Sequence, residues 1–206
     1  MIGAARAAKE SGLRAALRRA LAKPGPGSAD HDLNPEITLP AGRKLRDAAV
    51  LVPVIAADGE ASVLLTKRSS RLKHHPGQIA FPGGKVDPSD ADASAAALRE
   101  AREEVGLPEG AAEILGHLPS HETVTGFTVI PVLALIPPFD PIPEAGEVEE
   151  VFAIPFAHLA SSANYSIERR RWRGTWRRYY AVPFGPYYVW GATARILRGL
   201  ADRLAS

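Results

Sequence analysis

Residues 99–107 read Arg-Glu-Ala-Arg-Glu-Glu-Val-Gly-Leu, and this run restricts the fold more than any other part of the chain. Glu100, Glu103 and Glu104 are spaced i, i+3 and i+4, which puts three carboxylates on one face of an α-helix. Leu98, Ala101 and Val105 fall on the opposite face, where they can pack on a sheet. Gly106 suits the left-handed residue that ends a helix, and Pro108 prevents it from resuming. A helix over 92–105 is therefore expected, anchored by one side and presenting acid on the other. Like charges at these spacings repel by about 0.2–0.5 kcal/mol per solvated pair, and by more in a cleft. Arg99 and Arg102 offset part of this, and a divalent cation would offset more. With oxygen donors alone that cation would be hard, Mg²⁺ or Mn²⁺. An ordinary charged surface helix has the same composition, so the helix alone assigns no site.

The preceding loop adds the missing specificity. Phe81-Pro82-Gly83-Gly84-Lys85 comes shortly before the helix. Tandem glycines let a backbone approach another group closely and expose its carbonyls and N–H groups. A loop carbonyl, that of Gly84, can complete an oxygen shell beside the glutamates. The chain has no cysteine, which excludes disulfides, thiolate metal sites and a cysteine nucleophile. No run approaches the ~18 apolar residues of a membrane span, and no apolar signal core stands near the start. A cytoplasmic protein with no membrane partner is expected.

Elsewhere the patterning is readable in outline. Residues 3–22 have Leu13, Leu17, Ala20 and Leu21 at helical spacing, with Arg6, Arg14 and Arg18 elsewhere. An Arg-rich start can also mark a transit peptide, but Glu10 interrupts it and no Ser-rich stretch accompanies it. Residues 23–28, Lys-Pro-Gly-Pro-Gly-Ser, form a connector that cannot continue a helix. The apolar run 48–56 predicts a strand buried on both faces, and the Asp58-Gly59 turn returns it as a hairpin through 62–67. Residues 77–84 read as short and extended. Further strands are expected over 114–121, 128–136, 151–154 and 179–182, a Pro-rich loop over 137–147, and a closing helix over 191–204. The order predicts the α/β (α+β) class, a mixed β-sheet sandwiched between helices. Residues 1–40 are assigned to an N-terminal helix and linker, and 41–206 to one domain.

Positive charge is clustered although the net charge is only +2. Arg169, Arg170, Arg171, Arg173, Arg177 and Arg178 are interleaved with Trp172 and Trp176. Such a cluster can grip phosphates or can be a solvated turn between two strands. A second cationic stretch, Arg68, Arg71, Lys73, His74 and His75, precedes the Gly-Gly loop. Neither histidine has a partner at metal-ligand spacing, so substrate contact or surface placement suits them better than ligation.

The loop and helix together resemble the Nudix box, G-x5-E-x7-R-E-U-x-E-E-x-G-U with U aliphatic. Gly84, Arg99, Glu100, Glu103, Glu104, Gly106 and Leu107 carry the resemblance. One extra residue separates Gly84 from Arg99, Asp90 stands at the first acidic position, and Ala101 is smaller than usual. The run 64–84, LLTKRSSRLKHHPGQIAFPGG, is similar to the L-L-T-x-R-S-x-x-L-x-x-H-x-G-Q-x-x-F-P-G-G signature of coenzyme A-hydrolysing Nudix proteins. That subfamily also carries the longer box and a G-G-x-x-D segment, matched by Gly83, Gly84 and Asp87. The resemblance covers roughly residues 48–155, and residues 190–197 look like the subfamily's closing helix.

The resemblance implies the Nudix fold and a pyrophosphohydrolase that uses Mg²⁺ or Mn²⁺. Metal would be held by Glu100, Glu103, Glu104 and the Gly84 carbonyl. The catalytic residues would be Glu100, Glu103, Arg99 as the orienting group, and Glu147 as the acceptor of the water's proton, chosen from Glu144, Glu147, Glu149 and Glu150. Arg68, Arg71, Lys73, Gly83 and Lys85 would contact substrate. Coenzyme A or acyl-coenzyme A would yield 3′,5′-ADP and (acyl-)4′-phosphopantetheine, with the 3′-phosphate read by Arg68, Arg71 or Lys73 and the Arg169–Arg178 cluster as rival. No nucleic-acid partner is expected, and homodimer formation is left open. The alternatives are an ADP-ribose or dinucleotide pyrophosphatase, a non-catalytic Nudix-fold binding module, and an RNA-end binder using the arginine cluster.

Overall fold

The long apolar run forms the central strand because both of its faces are covered. In the computed structural model, which describes residues 2–37, 42–57, 59–73, 75–172 and 174–206 (backbone alone at 2–6 and 172), it is β2, Arg46–Ala57. Asp58, His74 and Arg173, named above, lie outside the described residues, as does the expected boundary at residue 40. Before β2 come α1, Ile2–Ala22, and the short β1, Ser28–Ala29. After it come β3 (Glu60–Arg68), β4 (Ile79–Ala80), β5 (Gly83–Lys85) and α2 (Ala93–Val105). Then follow β6 (Glu113–His117), β7 (His121–Glu122), β8 (Phe127–Ile136), β9 (Val148–Pro155) and α3 (Phe156–Ala160). The chain closes with β10 (Ser166–Trp172), β11 (Thr175–Phe184), β12 (Tyr187–Trp190) and α4 (Ala192–Ala205).

β2 runs parallel to β8, from Arg46 opposite Phe127 to Ile55 opposite Ile136, and antiparallel to β3 and β5. Along β2, Ala49 and Leu51 point to the side where α2 packs, while Val52 and Val54 point to the side of α1, α3 and α4. β8 repeats the division, with Val132 and Ala134 on the first side and Leu133 and Leu135 on the second. A period of two with both faces buried produces the continuous apolar run. This is a mixed sheet between helices, the expected class.

The small Ala101 has its reason here. Ala96, Ala97 and Ala101 are fully buried on the sheet, so α2 lies close to β2 and brings its acid face near β5. On the other side, Leu17 and Ala20 of α1 pack with Leu197 and Leu200 of α4. Arg14 adds hydrogen bonds of 2.9–3.1 Å to Glu113 on β6.

Two expectations are corrected. The strand expected over 114–121 is two, β6 and β7, separated at Pro119, which has no N–H to give to a ladder. The arginine cluster is not a turn between strands but two strands, β10 and β11, of a second sheet ordered β10-β11-β12. Among the described residues, no helix is long and apolar enough to cross a membrane.

Candidate active site

Helix α2 is fixed at both ends by its own sequence. Asp92 caps the start, its carboxylate accepting from the Ala95 N–H at 2.8 Å, and Gly106 closes the end at φ 67°. The Gly-Gly loop then meets the acid face. β5 pairs with β2 so that Ala49 faces Gly84 and Val50 faces Gly83. A Cβ on Gly84 would stand 2.5 Å from Glu100 Oε1, and one on Gly83 would stand 2.5 Å from the Ala49 carbonyl oxygen. Only glycine allows this approach, and it lets the Gly83 N–H donate to Glu104 Oε2 at 3.1 Å.

The three box glutamates are not equivalent. Glu104 is 5% exposed, and burial pushes its carboxyl up to about 7. The Gly83 N–H and the Arg68 charge pull it down, while the charges of Glu100 and Glu147 push it further up. Burial also raises Glu100, against the opposing pull of Arg99. Glu103 is exposed and accepts from Arg99 Nη1 at 3.1 Å. The Glu147 charge adds to the upward push on both Glu100 and Glu104. Its backbone is anchored by its N–H to Glu144 Oε2 at 2.7 Å and by its carbonyl, which accepts from the Ser69 N–H at 2.7 Å.

Arg99 is the hub. Its Nε and Nη2 form a two-pronged pair with Asp90 Oδ1 and Oδ2, each at 3.0 Å. Nη2 also donates to the Lys85 carbonyl at 3.1 Å, and Nη1 to Glu100 Oε1 at 3.0 Å. These bonds hold the guanidinium firmly charged and keep Asp90 below the usual carboxylate range. Asp90 was legible only as the residue at the box's first acidic position. The structure gives it a task, fixing the arginine that fixes Glu100 and Glu103. Arg99→Lys keeps the charge but loses the fork. It is expected to lower turnover by roughly tenfold to a hundredfold through misplacement of the glutamates, with the fold retained. Steady-state rates beside a circular-dichroism melt check this, and turnover within twofold of the parent would remove the orienting role.

Arg68 and Gly83 border a cavity of about 320 Å³, whose wall also includes Gln78, Thr123, Trp190 and Thr193. Arg170, Arg177 and Arg178 of the second sheet stand in the same wall. Arg71 and Lys73 are exposed and lie outside it, and the Lys85 side chain is exposed as well. All donors around the acid face are oxygens, which suits a hard divalent cation. Among the described residues no three acidic or histidine groups already close to ligand spacing, so the glutamates form an acid face and not a finished cage.

Comparisons with known proteins agree with this geometry. The family model for the NUDIX domain matches residues 44–173. A Cronobacter sakazakii protein described as an uncharacterized Nudix hydrolase, NudL, is 46% identical over 157 residues, 76% of this chain and 81% of its own. The NudL of Salmonella heidelberg is 45% identical over 170 residues, 82% of this chain and 88% of its own. A solved MutT protein from Methanosarcina mazei, 18% identical, covers 81% of this chain and 96% of its own with a TM-score of 0.51, which speaks to the fold alone. With the Gly-Gly loop, the glutamate face and Arg99 assembled as described, the chain belongs to the Nudix hydrolases.

Proposed function

We propose that this Nudix hydrolase cleaves the pyrophosphate bond of coenzyme A or its acyl derivatives, giving 3′,5′-ADP and (acyl-)4′-phosphopantetheine. One observation carries the proposal. Arg68 and Gly83, which belong to the run 64–84 that resembles the coenzyme A signature, border one cavity beside the glutamate helix. The described wall of that cavity holds four arginines and a single carboxylate, Asp30. Such a lining favours an extended polyanion over a neutral or singly charged ligand.

A divalent cation, Mg²⁺ or Mn²⁺, held by Glu100, Glu103, Glu104 and the Gly84 carbonyl would neutralise phosphate charge and make water more acidic. The chain's own groups do the rest by position. Arg68, whose charge pulls the Glu104 carboxyl down, binds a phosphate oxygen. Arg99 keeps Glu100 and Glu103 in place. Glu147 is the proposed acceptor of the proton that water gives up as its oxygen bonds to phosphorus. The P–O bond to the bridging oxygen breaks, and the second phosphate leaves with that oxygen and its electron pair.

The test is a product assay on coenzyme A and ADP-ribose at equal concentration with Mg²⁺. Release of 3′,5′-ADP as the faster reaction is expected. Preferential cleavage of ADP-ribose would assign the chain to the sibling activity. Cleavage of neither would favour a binding module.

A further inference from the structure

The second sheet opposes like charges in a way sheets ordinarily avoid. Arg170 on β10 stands directly opposite Arg177 on β11, and the next pair is Arg169 opposite Arg178. Directly opposed like charges destabilise a strand pair. Alternation puts Arg170 and Arg177 on one face with Tyr179, and Trp190 of β12 joins that face opposite Ala181. All four line the cavity. Arg169 falls on the other face, over the Trp176 ring at 5.0 Å, and is outside the cavity wall.

This wall is built, not incidental. The Arg170 guanidinium lies 4.6 Å from the centre of the Trp190 ring, and Tyr179 meets the same ring edge-on at 5.2 Å. β12 stops pairing at Trp190, opposite Ala181, which leaves the edge of β11 at Arg178 without a strand. Asn34, 1% exposed, takes that place. Its side-chain oxygen accepts from the Arg178 N–H at 2.7 Å, and its amide donates to the Arg178 carbonyl at 3.0 Å. Asp30, the one carboxylate among the described residues of the wall, is occupied by the buried His121 at 3.1 Å and by the Val124 N–H at 2.9 Å.

We propose that Arg170 and Arg177 form a second anion site that takes a phosphate monoester carried by the substrate away from its pyrophosphate. In coenzyme A this group is the ribose 3′-phosphate, so the identity of the ligand rests on the substrate proposed above. Arg68 and Gly83 mark the pyrophosphate end of the cavity, and the second site lies on a different sheet. Two guanidinium forks suit the three oxygens of a monoester dianion. Arg71 and Lys73, exposed outside the wall, are not assigned this task.

The test compares coenzyme A with 3′-dephospho-coenzyme A. The parent is expected to favour coenzyme A by at least about tenfold in kcat/KM, the value of one charged hydrogen-bonding contact. Arg170→Gln should pull that ratio toward one, and Arg170→Lys should leave part of it. Arg169→Gln removes the same charge from the opposite face and should leave the ratio as in the parent. Titration calorimetry of 3′,5′-ADP against 5′-AMP on the full chain repeats the comparison without turnover, and tighter binding of 3′,5′-ADP, weakened in Arg170→Gln, is expected. Equal hydrolysis of the two coenzymes, or a ratio that survives Arg170→Gln in a folded protein, overturns the second site while the proposed activity stands. If coenzyme A is not cleaved at all, the proposed activity fails, and equal affinity for 3′,5′-ADP and 5′-AMP then overturns the second site independently.

Discussion

Chelation of divalent ions with EDTA is expected to abolish hydrolysis, and excess Mg²⁺ or Mn²⁺ to restore it. The acid face explains why. Glu100, Glu103 and Glu104 share one face of α2, and the charges of Glu100 and Glu147 push the buried Glu104 carboxyl further up. The nearby cations are largely committed, since Arg99 also serves Asp90 and the Lys85 carbonyl. A pyrophosphate brought to this face without a counter-ion would meet carboxylates on the side where it must react. The same groups give the effect a pH dependence. Burial raises the Glu104 carboxyl from its ordinary 4.5 to about 7 in the folded chain. Its contribution to stability is therefore full below about pH 4.5 and is lost as the pH rises through 7. A cation needs the deprotonated form, so the rise in Tm that Mg²⁺ produces should grow between about pH 5 and about pH 8. Full turnover in EDTA, or a Tm gain that ignores pH across this range, would remove the metal from the account.

What could be seen in advance depended on whether a residue's role is written in its own neighbourhood. Helix α2 was visible because its stop signals Gly106 and Pro108 and both of its faces lie within one short stretch, whereas its cap Asp92 emerged only with the structure. β2 and β8 were visible because burial on both faces leaves an unbroken apolar run. β10 was not, because Glu168, Arg169, Arg170 and Arg171 are all exposed and show no alternation. It is a strand because β11, which buries Ala181 and Val182, offers it a partner. The two-residue β1 pairs through backbone groups, which side-chain pattern does not record. At the site, the spacing of Glu100, Glu103 and Glu104 gave their shared face, but not that Glu104 is buried while Glu103 is exposed. That difference comes from β5 lying against one side of the helix. Arg68, Arg71 and Lys73 are close in sequence, yet only Arg68 reaches the cavity, because the turn after β3 carries the other two outward. The partnership of Arg170 with Trp190 and the clasp of Asn34 on Arg178 join segments too distant in sequence for any local signal.

Glu104→Gln is expected to lower turnover by at least about a hundredfold while making the metal-free protein more stable. The two effects have one cause. Glu104 is a carboxylate held in a place that disfavours its charge, and its Oε2 accepts from the Gly83 N–H at 3.1 Å. Glutamine has nearly the same shape, and its carbonyl oxygen can keep that bond, so the Gly-Gly loop stays against the helix. What disappears is the charge. Loss of one charge-stabilising group at a reacting centre lowers turnover by about two to three orders of magnitude. Removing the cost of ionising a buried carboxyl stabilises the folded chain at about pH 8 by up to roughly 3 kcal/mol. Glu100→Gln should resemble it in turnover, since the new amide can still accept from Arg99 Nη1. Its gain in stability should be smaller, because Arg99 already offsets the charge. Initial rates at saturating substrate and Mg²⁺, with Tm measured in EDTA at about pH 8, separate the outcomes. A slow enzyme with a raised Tm fits a charge kept for function against the preference of the fold. A Glu104→Gln protein that turns over at near the parental rate would make α2 an ordinary surface helix, and one that loses both activity and stability would mean that the carboxylate holds the loop in place.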